Sequence, residues 1–81
     1  MNATLIFNPK KIVAGLVKYL LACGWTHSDE LRVTLIHPDR KYFINVVYLK
    51  KIAEERRTLN GAVQEVDRWI DLEDSKHGHT N

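Results

Sequence analysis

The stretch LKKIAEERRTLNGAVQEVDRWIDL, residues 49–72, decides the fold. Leu49, Ile52, Leu59, Val63, Val66 and Ile70 recur at steps of three, seven, four, three and four. That is the spacing of one helical face and nearly a heptad seam. Arg56 interrupts the seam where an apolar side chain belongs, and Asn60-Gly61 occupies positions a helix disfavours. A glycine inside a helix costs only about 1 kcal/mol. The pattern therefore admits one bent helix or two helices broken at Asn60-Gly61.

Working upstream, Tyr42–Tyr48 is rich in β-branched and aromatic residues and reads as a strand. Pro38-Asp39-Arg40-Lys41 is turn chemistry. Before it, Leu31–His37 alternates, with Leu31, Val33, Leu35 and His37 on one side and Arg32, Thr34 and Ile36 on the other. The two strands predict an antiparallel hairpin with a basic tip. Thr26–Glu30 is polar and reads as a loop.

A helix is expected from about Pro9 to Cys23. Asn8 suits its cap and Pro9 its first position, because the missing donor is not needed there. Ile12, Leu16, Tyr19, Leu20 and Cys23 share one face, widened by Val13, Val17 and Leu21, so the helix needs cover on more than one side. Gly24 supplies a left-handed stop and lets Trp25 fold back onto the last turn. Ala3–Phe7 reads as a further short strand. The expected architecture is α+β, a β-α-β-β-α domain over residues 1–74. It has a three-stranded antiparallel or mixed sheet and two helices, the C-terminal one long. Residues 75–81 read as a flexible polar tail.

Eighty-one residues bury roughly 60% of their unfolded surface, enough for one adequate core. No apolar run approaches the ~18 residues of a membrane span, and no secretion signal is expected. The lone cysteine, Cys23, excludes an internal disulfide framework and fits a reducing cytoplasm. It is expected to be a buried, inert thiol. The net charge of +2 is divided unevenly: residues 1–57 carry +5 and residues 58–81 carry −3.

No catalytic or metal-binding constellation is visible. His77 and His79 are only two ligands, with no carboxylate or cysteine cluster to complete a site. His27 with Asp29 and Glu30 lies in a loop. Glu54-Glu55 are adjacent on a helix and point apart. The four glycines, at 15, 24, 61 and 78, form no phosphate loop. The expectation is a non-enzymatic domain without cofactor or metal.

The run from Gly24-Trp25 through His37-Pro38-Asp39 resembles the mRNA-interferase toxins of the HicA type. Those are small α-β-β-β-α domains in which a helix ends in Gly-Trp and a hairpin turns at His-Pro-Asp-Gly. The family's Gly-Ser-His run on the strand before that turn is here Leu31-Arg32-Val33-Thr34, and its glycine after Asp39 is Arg40. The resemblance implies a related fold that lacks the residue carrying RNA cleavage.

Elimination points to a protein–protein interaction module, a regulator or inhibitor that occupies a partner's surface, as accessory proteins of phages and mobile elements do. Its expected interface residues are Tyr48, Arg56, Arg57, Arg68 and Trp69, types that dominate binding energy. A homodimer through the near-heptad seam fits the same pattern. The alternative is a nucleic-acid-binding regulator that grips phosphates with Lys10, Lys11, Arg32, Arg40, Lys41, Lys50 and Lys51.

Overall fold

Helix α1, Pro9–Ala22, starts and stops as its local chemistry dictates. In the computed structural model, which describes residues 7–77, the Asn8 Oδ1 accepts the Lys11 N–H at 3.3 Å, and Pro9 opens the first turn. At the other end the Trp25 N–H donates to the Leu20 carbonyl at 3.0 Å and the Gly24 N–H to that of Leu21 at 3.1 Å. This is a Schellman stop, with Gly24 at φ +101° where a Cβ would be strained. Ile12, Leu16 and Leu20 are buried. Cys23 is exposed, contrary to the buried thiol expected. The chain reverses at Gly24, so Trp25 and not Cys23 covers the end of the helix, with 4% of its surface left open.

The sheet follows directly. Strands β1 (Thr26–His27), β2 (Thr34–Ile36) and β3 (Phe43–Asn45) are antiparallel in the order β1-β2-β3. The α+β class and the three-stranded antiparallel sheet match the expectation, but the third strand comes from the polar segment read as a loop. Of the strand expected at Ala3–Phe7, residues 3–6 lie outside the described residues, and Phe7 is not in a strand. The order α-β-β-β-α, with the last helix divided, is the one the resemblance implies.

Both hairpin strands are shorter than expected because capping side chains end them. The Asp29 carboxylate takes the Val33 N–H at 3.1 Å. Asn45 takes the Val47 N–H at 2.7 Å and starts helix α2, Val46–Arg56, three residues before Leu49. In register, Leu35 pairs with Ile44, Ile36 with Phe43 and Thr34 with Asn45. Alternation turns Leu35 and Ile44 into the core and Ile36 and Phe43 to the opposite face.

The predicted long helix is two helices, and the break lies at Arg57-Thr58 rather than Asn60-Gly61. Arg57 is left-handed at φ 66° and closes α2 through its N–H to the Ala53 carbonyl at 2.9 Å. Thr58 then caps α3, Leu59–His77, its hydroxyl taking the Gly61 N–H at 3.0 Å. Gly61 falls in the first turn of α3, where a cap rather than a break is formed. Leu49, Ile52 and Val66 are buried, while Leu59 is exposed and Val63 and Ile70 are half-buried. The seam is thus a core-facing stripe shared by two helices. The α3 helix runs on through Ser75–His77, into the segment read as tail.

The three helices pack on one another, and one cluster joins them to the sheet: Ile12, Leu16 and Leu20 of α1, Trp25, Leu35, Ile44, Leu49, Ile52, Ala53, Ala62 and Val66. At Gly15 the tip of the exposed Leu59 side chain of α3 lies over α1, 2.8 Å from where a Cβ would sit. No helix among the described residues is long and apolar enough to cross a membrane.

Candidate nucleic-acid interface

A chain of aromatic rings ties the hairpin to α3. Tyr42, which enters β3, is its centre. Its ring lies 4.5 Å from His37, 5.8 Å from Trp25, 5.5 Å from Trp69 and 5.3 Å from His77, the last nearly parallel at 25°. Trp69 continues the chain to Tyr48 at 5.8 Å. The Tyr42 hydroxyl donates to Asp74 Oδ1 at 2.6 Å, and His37 Nε2 lies 3.5 Å from the same oxygen. His37 Nδ1 accepts the Asp39 N–H at 3.0 Å, which leaves Nε2 as the protonated nitrogen facing Asp74.

A second tyrosine repeats the device. The Tyr19 hydroxyl of α1 donates to Asp67 Oδ1 at 2.6 Å. That hydrogen bond, more than burial, raises the Tyr19 phenol above its ordinary value of 10.0. For Tyr42, burial comes first and the Asp74 bond second, in the same direction. Burial also raises Tyr48.

The residues expected at a protein interface are mostly engaged within the chain. Tyr48 and Trp69 are half-buried and packed against the core. Arg56 bonds across the helix break to Glu65 Oε1, and Arg68 reaches the same oxygen at 3.5 Å. The Arg57 guanidinium lies 4.2 Å above the Phe7 ring. The Arg56–Glu65 pair joins α2 to α3 and Arg57 covers Phe7, while the Arg56, Arg57 and Arg68 side chains remain exposed.

The expected nucleic-acid residues sort differently. Arg40 and Lys41 line an open depression of about 370 Å³ with Ile36, Tyr42, Phe43 and His77. Among the described residues neither cation has an acidic partner. Arg40 occupies the turn position where the resembling toxins have glycine, and it is left-handed, at φ 60°. Phe43, on the outward face of β3, is 62% exposed. At the far end of β3, Lys10 of α1 and Lys50 of α2, distant in sequence, flank a depression of about 230 Å³ floored by Val13 and Val46. Lys11 lies with Arg57 beside a third, of about 510 Å³. Arg32, also left-handed at φ 60°, and Lys51 are exposed and line none of the three.

Sequence reasoning missed Phe43, Ile36 and His77 as parts of the basic tip. Alternation carried the signal for Phe43: with Ile44 inward, the Phe43 next to it must face out. The acid–base grouping at His27 does not assemble, since Asp29 is committed to the Val33 N–H and the buried His27 Nδ1 has no partner among the described residues. Among the described residues no three His, Cys, Asp or Glu side chains converge as metal ligands. No protein-family model, curated protein or solved structure matches this chain.

Proposed function

We propose that this domain is a non-enzymatic nucleic-acid-binding regulator whose working surface is the hairpin tip with the outward face of β3. One observation carries the reading: two cations free of acidic partners among the described residues and an exposed aromatic ring meet at a single depression. Cations positioned on a rigid hairpin neutralise phosphates, and association then releases counterions. The His37–Tyr42–Asp74 grouping is consistent with a structural role, because the Tyr42 hydroxyl and the His37 ring nitrogens are engaged with Asp74 and the Asp39 N–H. A single exposed thiol at Cys23 suits a reducing compartment, which favours the cytoplasm as its setting.

The test is fluorescence anisotropy of labelled oligonucleotides across a salt series. Two to four neutralised phosphates give a log–log slope of about −1.4 to −2.8 on single strands. Oligonucleotides that fail to bind at low salt refute the proposal.

A protein-binding regulator or homodimer is the second reading. It is favoured by Leu31, Val33 and Val47, which are 80%, 38% and 73% exposed. The Val46 N–H bonds the Val33 carbonyl at 2.7 Å, which ties the segment carrying Val33 to the start of α2, where Val47 lies. Light scattering that returns a dimer for the native chain and a monomer for Val47→Lys would support it.

A further inference from the structure

We propose that the depression between the hairpin tip and the end of α3 seats one unstacked base of a single-stranded nucleic acid, with Phe43 as the stacking surface. The inference rests on the nucleic-acid reading and adds the class of strand and the residue that selects it.

Phe43 has no structural need for its exposure. Its cross-strand partner Ile36 is half-buried beside it, whereas the inward pair Leu35 and Ile44 supplies the core. An exposed ring alone is ordinary. This one shares its depression with Arg40, Lys41, Tyr42 and His77, and the last two rings are already stacked on one another at 5.3 Å. The lining therefore combines an apolar side chain at Ile36, aromatic rings and cations for the flanking phosphates. That is the composition of a stacking platform for single strands, in which any base offers its π-face and the backbone follows the charge.

Duplex nucleic acid does not use such a site. Its bases are stacked on each other and show only their edges in the grooves, so a ring lying in a sheet face has nothing to stack on. Phosphate contacts alone would leave Phe43 idle. The Tyr42–Asp74 bond at 2.6 Å holds the hairpin against α3, so the walls of the depression are set before a ligand arrives. The contacts fall on base and phosphate, groups common to RNA and DNA. Both strand types are therefore expected to bind.

The experiment uses the full chain with labelled homopolymers of deoxythymidine and of uridine and a duplex of equal length. Phe43→Ala is the main variant, and its circular dichroism is expected to be unchanged because the ring is exposed. Single strands are expected to bind more tightly than the duplex. Phe43→Ala is expected to weaken single-strand binding roughly 5- to 150-fold with the salt slope unaltered. Phe43→Trp is expected to restore it. Lys41→Ala is expected to reduce the steepness of the slope by about 0.7. Binding of only one homopolymer, with the same loss in Phe43→Ala, supports the subsite and assigns its natural source. If oligonucleotides bind but Phe43→Ala is silent, or the duplex binds as tightly as the single strands, the subsite is overturned and the wider nucleic-acid reading stands. If nothing binds at low salt, both fail.

Discussion

Two tyrosine hydroxyls fasten α3 to the rest of the domain, and removing them one at a time tests how the helix is held. Tyr19 of α1 donates to Asp67 and Tyr42 of the hairpin to Asp74, both at 2.6 Å. The two acids are seven residues apart on one face of α3, so the fastenings lie about 10 Å apart along its axis. A hydrogen bond to a charged group is worth about 1.5–3 kcal/mol. The Tyr19 pair is partly buried and should fall near the lower end, about 1.5 kcal/mol. The Tyr42 pair is exposed, and solvent screening reduces it to about 0.5–1 kcal/mol. In a domain of this size, 1 kcal/mol shifts the melting temperature by about 4–8 °C. Tyr19→Phe should therefore lower it by about 6–12 °C, and Tyr42→Phe by about half that. Urea and thermal melts followed by circular dichroism read both. Double-mutant cycles with Asp67→Ala and Asp74→Ala isolate each bond from the packing of its ring. At that separation the two effects should add to within about 0.5 kcal/mol. A Tyr19–Asp67 coupling below about 0.3 kcal/mol would refute the reasoning, because the bond would then contribute no more than its exchange with water.

Leu16 is fully buried at the centre of the core, so Leu16→Ala should cost about 2–5 kcal/mol. A urea midpoint that did not move would refute the assignment of that face. Gly24→Ala places a Cβ at φ +101° and 3.3 Å from Pro38 Cγ, and should cost at least about 1–2 kcal/mol in the same assay. The raised phenols of Tyr19, Tyr42 and Tyr48 set the sign of the alkaline response. The native state keeps protons that the unfolded chain releases above the ordinary value of 10.0. Their contribution is therefore whole below that value and is lost as pH rises beyond it. Urea midpoints taken through this range should fall, and fall less steeply in Tyr19→Phe; a midpoint that rose would overturn the sign.

The elements legible in the sequence were those fixed by neighbours along the chain. Asn8-Pro9 and Gly24-Trp25 bound α1 through bonds spanning a few residues, so their types alone place its ends. The helix break was misplaced because Asn60-Gly61 is the more conspicuous pair, whereas Thr58 is a competent cap and left-handed Arg57 has no compositional mark. Asn45 was hidden in the same way by the β-branched Val46-Val47 that follows it, although its side chain starts α2. Strand β1 is legible only from its partner, since Thr26-His27 pairs because Ile36 and Leu35 present an edge to it. The cations of the candidate site were visible as types. Their grouping with Phe43 and His77 depends on strand register and on a helix end more than thirty residues away, which no local pattern encodes.

Among the described residues the non-glycine positions with positive φ are Arg32, Arg40 and Arg57. An L-residue in that conformation costs about 1–2 kcal/mol relative to its usual backbone. Glycine would sit there without strain, and asparagine with less. Selection for heat resistance alone would favour relief of this strain, opposed by the extra unfolded-chain entropy of glycine and, at Arg57, by the lost contact with Phe7. A deep mutational scan run in parallel for thermal survival and for ligand capture would separate the three. Where the survival screen favours glycine and the capture screen retains arginine, the guanidinium is held against the backbone's preference by what it binds. Arg40, at the rim of the depression, is the position where the two screens should diverge most.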